Sequence, residues 1–165
     1  MRILACVLAL LTATAAHAEG FAVRDLTSVV DEAKAALGPG FQHRAAPERL
    51  TLMCLTCEGG PMVDVLLGRQ PDGTEQRVRS GETTFESLER RCKEREPACR
   101  LSGLDVAPAV GWITSYPMGK TFGATAVVIR DGDLLTIRSI ASSANAARAN
   151  AETLASKLAP QIVGR

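Results

Sequence analysis

Apolar and polar positions along this chain recur with two periods, and they divide it into helices and strands. Over 27–37, Val29, Val30, Ala33 and Leu37 share one face, with Leu26 just ahead and Asp31, Glu32 and Lys34 elsewhere. That spacing predicts an amphipathic helix. Ser28 and Asp31 stand at a capping spacing, and Gly38-Pro39-Gly40 is a stop signal. Residues 40–48, His43 among them, read as a loop. Period-two alternation then predicts strands over 50–55 and 63–68, separated by the turn Glu58-Gly59-Gly60-Pro61. Pro71-Asp72-Gly73 is a further turn. The polar run 74–79 after it, with Glu75, Arg77 and Arg79 alternating, predicts an edge strand.

A second helix starts at Thr83 or Thr84 and carries Phe85, Leu88 and Cys92 on one face, which turns Cys92 inward. Glu89, Arg90, Arg91, Lys93, Glu94 and Arg95 form its solvated side, and Pro97 helps end it. After a looser stretch with Pro108 come strands over 110–116, 121–130 and 134–140. Asp131-Gly132 between the last two is a strong hairpin signal. A final helix from Ser142 or Ser143 lines up Ala147, Ala151, Leu154 and Leu158 until Pro160. The order α-β-β-β-α-β-β-β-α predicts an α+β fold: one antiparallel sheet of five or six strands with about three packed helices. This order, ending in a hairpin and a packed helix, resembles that of domains like the PsbP accessory protein of photosystems. The resemblance is one of topology and implies no function.

Residues 1–18 belong to neither period. Arg2, an apolar run from Ile3 to Leu11 and Ala16-His17-Ala18 have the layout of a signal peptide cleaved before Glu19. Cys6 lies inside the apolar run, whereas a lipid-modified cysteine would follow it. The expected mature chain, 19–165, is a single soluble domain in the periplasm, with secretion as the alternative. Its size lets it bury about 68–70% of the surface its unfolded chain would expose. Cleavage takes Arg2 from the 19 basic groups, leaving them equal to the 18 acidic ones. A near-neutral chain with no basic block is not expected to bind nucleic acid or carry a polybasic membrane anchor. No later stretch has the length of a membrane-spanning helix.

Cleavage also removes one of five cysteines and one of two histidines, leaving Cys54, Cys57, Cys92, Cys99 and His43. Four cysteines in an oxidising compartment predict two disulfides. Loop-closure entropy favours the local pairs Cys54–Cys57 and Cys92–Cys99, whereas inward-facing Cys54 and Cys92 would allow a bridge from sheet to helix. Bridging Cys54 to Cys57 requires the chain to turn there, because positions three apart in a straight strand face opposite ways. A redox role for this CxxC would prefer a helix N-terminus, and here a strand precedes it. A four-cysteine zinc site is disfavoured by the six residues between Cys92 and Cys99. Copper would draw on the cysteines with Met53, Met62, Met118 and His43, but Met53 reads as core material and Met118 lies far away in sequence.

Other motifs are incomplete. Gly119-Lys120-Thr121 ends like a P-loop, yet Thr114 stands where its first glycine belongs. Ser80-Gly81 and Ser102-Gly103 begin like the SGxxY signature of periplasmic lysozyme inhibitors, with Thr84 and Val106 in place of the tyrosine. Asp131 and Asp133 flank a turn, and His43 has no nucleophile motif beside it. No catalytic residue, cofactor or metal site is therefore assigned. The candidate binding surface is Trp112 and Tyr116 on one strand face with the adjoining Pro117, Met118 and Lys120. The expected function is an exported, non-enzymatic binding or accessory domain whose partner is an envelope protein or a small ligand. The alternative is thiol–disulfide or copper handling by Cys54 and Cys57.

Overall fold

The computed structural model describes residues 20–164; the expected signal peptide lies outside them. Seven strands form a single antiparallel sheet: β1 (Gln42–Ala46), β2 (Arg49–Met53), β3 (Met62–Arg69), β4 (Arg100–Gly103), β5 (Val110–Met118), β6 (Thr121–Arg130) and β7 (Asp133–Ala141). Their spatial order is β1-β2-β3-β7-β6-β5-β4, two meanders joined by the β3–β7 pair. The helices are α1 (Val30–Leu37), preceded by a 3-10 turn over Leu26–Val29, then α2 (Thr74–Arg79), α3 (Phe85–Arg95) and α4 (Ala144–Val163). The α+β expectation is met, with seven strands in place of five or six.

The strand excess has a physical source. β1 was expected as loop because Gln42, His43 and Arg44 offer no apolar alternation, but a strand needs only backbone partners, and β1 pairs with β2 from Ala46↔Arg49 to Gln42↔Met53. The four-residue β4 pairs with β5 in the stretch expected to be loose. Conversely, 74–79 is a helix. The Asp72 carboxylate accepts from the Thr74 amide at 2.9 Å and Gly73 takes φ +77°, which turns the chain into α2. Glu75 and Arg79 then pair at 2.7 Å across one helical turn, while the other Glu75 oxygen accepts from the Gly132 amide. Both expected alternatives for helix starts resolve to the second residue: Thr84 caps α3 and Ser143 caps α4.

One sheet face is packed by α1 and α4. Leu50, Leu52, Val63, Val65, Ile113, Val128, Leu135 and Ile137 meet Leu26, Val29, Ala33, Leu154, Leu158 and Ile162 in one core. Ala147, Ala151, Ala155 and Ala159 on α4 face Ala124 and Ala126 on β6, so the helix backbone can lie close to the sheet. α4 continues through Pro160, which is exposed, because burial of Ile162 and Val163 offsets the missing bond and Arg130 donates to the carbonyls of Val163 and Gly164. The segment before α1 is tied down at Asp133, whose buried carboxylate accepts from the Phe21 amide at 2.9 Å, Arg24 at 3.0 Å and Arg69 at 2.9 Å. The other face is covered at one side only, by α3 against β4 and α2 against β5. α3 buries no residue fully, so Cys92 is half-buried at the sheet margin rather than turned into the core.

Candidate functional site

The cysteines form the two local pairs, Cys54–Cys57 and Cys92–Cys99, with Cα separations of 5.3 and 5.9 Å. At the end of β2 the Cys54 amide bonds to the Pro61 carbonyl, and the loop turns through Gly59 and Gly60 at positive φ. The strand ends at Met53 and the chain bends over residues 55–57, which supplies the reversal that a Cys54–Cys57 bridge requires. The sulfurs pack beneath the backbone of Gly40, where a Cβ would stand 2.7 Å from the Cys54 Sγ. Cys54 is buried, Cys57 half-buried, and no helix begins there. Leu55 at the loop tip is 76% exposed.

Trp112 and Tyr116 do share a face of β5, but their surroundings differ. Trp112 is 9% exposed. Gly103 is its partner on β4, and the Phe85 ring of α3 occupies the space a Gly103 side chain would need, 2.6 Å from its Cβ position. Trp112 thus anchors β5 beside the small helices. Tyr116 lies further along, past their cover, with its ring over Gly123: a Cβ at Gly123 would be 2.5 Å from the Tyr116 ring and 2.9 Å from the Met118 sulfur. The Tyr116 hydroxyl and the Thr125 hydroxyl are hydrogen-bonded at 3.0 Å. Pro117 is half-buried, Met118 is 42% exposed, and Lys120 is exposed in the β5–β6 hairpin, where Gly119 at φ +63° takes the first central position. Thr121 donates to the Met118 carbonyl at 3.1 Å and pins the turn.

Register extends this site across the sheet. Met53, Met62, Ile140, Gly123 and Tyr116 are successive cross-strand neighbours on β2, β3, β7, β6 and β5. The next row on the same face runs Arg44, Thr51, Asp64, Arg138, Thr125 and Thr114, about 7 Å away by two residues of strand rise. Met53, Met62 and Ile140 are half-buried, and Arg44 and Arg138 are exposed. Over β1, β2, β3 and β7 this face is therefore open, in contrast to the opposite face under α1 and α4. Arg49 donates twice to one oxygen of Asp64, at 2.9 and 3.2 Å, and Thr51 donates to the same oxygen at 2.6 Å. A groove of about 520 Å³ follows β1 and β2 between Arg44, Arg49, Thr51 and Met53.

The structure thus brings Met53, Met62 and Met118 to one end of one face, although Met53 read as core and Met118 as remote. His43 falls on the opposite side of β1, in register with Leu52, so it does not join them. The available signal was the outward half of the alternation: Met62, Leu66, Leu134 and Ile140 make β3 and β7 apolar on both sides. Among the described residues no helix is long and apolar enough to cross a membrane.

No family model matches this chain, and no curated protein matches it. Among solved structures it is similar to cyanobacterial PsbP (CyanoP) from Synechocystis sp. PCC 6803, with 14% identity over 73% of this chain and 74% of that one, at a TM-score of 0.45. A likeness of that size carries no argument about what the chain does.

Proposed function

We propose that this chain is an exported, disulfide-stabilised binding or accessory domain that engages its partner through the open sheet face and the β5–β6 hairpin. One observation carries the reading. A sheet whose opposite side carries α1 and α4 keeps a row of half-buried Met53, Met62, Ile140 and Tyr116, ending in the exposed Met118, free of any covering helix among the described residues. Apolar rows of this kind mark interaction surfaces. Tyr116 is pre-oriented by Gly123 and Thr125, which limits the ordering required on contact. Trp112 holds the strand from beneath the small helices. The two cystines suit an oxidising compartment.

The test is affinity capture by tagged mature protein from envelope extract, with Tyr116→Ala/Met118→Asp compared against Lys157→Ala on the exposed side of α4. Loss of the captured protein in the first variant alone is expected; equal retention by both overturns the binding-face reading. Export is checked separately by N-terminal sequencing, with Glu19 expected first and retention of residues 1–18 contradicting it. Thiol or copper handling at Cys54 and Cys57 has less support, since both sulfurs are bonded to each other and packed against Gly40.

A further inference from the structure

We infer that the occupant of the open face is a protein segment that carries carboxylates beside apolar side chains. The inference rests on the binding-face reading and adds the partner's chemistry. The apolar row and the polar row run side by side across the same strands, so anything lying over the first meets the second. On the strands of this face stand three cations, Arg44, Arg49 and Arg138, and one acid, Asp64. Asp64 is already held by Arg49 and Thr51. Arg138 is in register with Asp64 but makes no ion pair with it, and among the described residues neither Arg44 nor Arg138 has a carboxylate partner. Lys120, with no ion pair among the described residues, adds a further cation at the hairpin end of the apolar row. A guanidinium beside a thioether and aromatic row recognises a carboxylate next to an apolar side chain, with the arginines setting specificity and the methionines adapting to shape.

The other occupants fit less well. A second copy docked face to face would bring a second set of three arginines to the interface and only one more acid, itself held by Arg49 and Thr51, so the excess cations of both copies would stay uncompensated. A small ligand needs enclosure over most of its surface. Here the groove walls Arg44, Ala46 and Arg49 are exposed. A phosphate-bearing membrane or nucleic acid would satisfy the cations and leave the central Met53–Met62–Ile140 row without a matching surface.

An array of extended peptides that mix leucine or valine with either glutamate or lysine tests this on the mature, oxidised protein. Glutamate-bearing peptides should bind at least about tenfold tighter than their lysine counterparts, and added salt should weaken them. Arg44→Glu/Arg138→Glu should remove that preference, and Arg44→Gln/Arg138→Gln should reduce it with an unchanged circular dichroism spectrum. Equal binding of both peptide classes, no binding of either, or binding only to phosphatidylglycerol vesicles overturns the inference. Lysine peptides that bind and are lost with Tyr116→Ala/Met118→Asp would overturn the acidic partner and leave the binding face standing. No peptide binding, together with partner capture indifferent to Tyr116 and Met118, would remove both.

Discussion

Reduction of the two cystines provides a quantitative test of their structural role. Cys92–Cys99 closes a loop of sequence separation 7, and Cys54–Cys57 one of separation 3. The chain-entropy relation gives about 2.4 kcal/mol for the first and about 1.6 kcal/mol for the second, or about 4 kcal/mol together. Each bridge also has one fully buried sulfur, Cys54 against Gly40 and Cys99 at the start of β4, so removal opens space as well as the loop. For a domain of this size the combined loss should lower the melting temperature by roughly 8–16 °C. Urea unfolding of the oxidised protein and of the pairs Cys54→Ala/Cys57→Ala and Cys92→Ala/Cys99→Ala measures each part. A combined loss below about 1 kcal/mol would refute the staple account. So would ready reduction of Cys54–Cys57 by glutathione without a shift in the urea midpoint, since a structural cystine resists that couple and a catalytic one does not.

Three further perturbations probe the surroundings of the face and the chain's N-terminal tie. Gly123→Ala should push the Tyr116 ring and the Met118 sulfur aside and break the Tyr116–Thr125 bond, a loss of about 1 kcal/mol on urea unfolding, partly offset by the better strand former. An unchanged Tyr116 ring signal in the NMR spectrum would contradict that packing. Asp133→Ala should cost about 2 kcal/mol, mainly by leaving the Phe21 amide without an acceptor, whereas Arg24→Ala or Arg69→Ala should each cost under about 1 kcal/mol because both guanidinium groups are largely exposed. Equal losses from all three would reject this apportioning. Hydrogen bonds from the Thr27 hydroxyl and then its amide hold the Asp25 carboxyl below its ordinary value of 3.8. A depressed folded value means that its contribution is complete above 3.8 and fades as pH falls through the lower folded value. The stability gap between the parent and Asp25→Asn should therefore narrow only in that acid range, and a gap that is constant down through it would exclude the cap's role.

The elements that sequence periodicity located are those whose side chains decide their state. α1, α4 and the long strands each bury a stripe or a face, α3 half-buries the stripe Phe85, Leu88 and Cys92, and the Asp131-Gly132 hairpin has two positive φ angles, +52° and +78°. β1 and β4 escaped because these edge strands are held by backbone pairing to the next strand and carry no apolar alternation of their own for periodicity to read. α2 escaped because Glu75, Arg77 and Arg79 alternate by two while the pair that matters, Glu75 with Arg79, is spaced by four. The cystine pairing was open in the sequence because Cys92 shares a helical face with Phe85 and Leu88, yet that helix lies at the sheet margin and not over the core. For the candidate site, Tyr116, Met118 and Lys120 were legible as one local segment. Met53, Met62, Ile140, Arg44 and Arg138 were not, because register across the six strands from β1 to β5 is what unites them with that segment.

Oxidative footprinting of Met53, Met62 and Met118, with and without the captured partner, tests the open-face account most directly. All three thioethers sit on that face and none on the helix-packed side, so each reports on the surface in question. The account predicts that the partner slows oxidation of all three and protects Tyr116, with Lys157 on α4 equally labelled in both states. Unchanged methionine oxidation, with protection falling instead on α1 or α4, would contradict it.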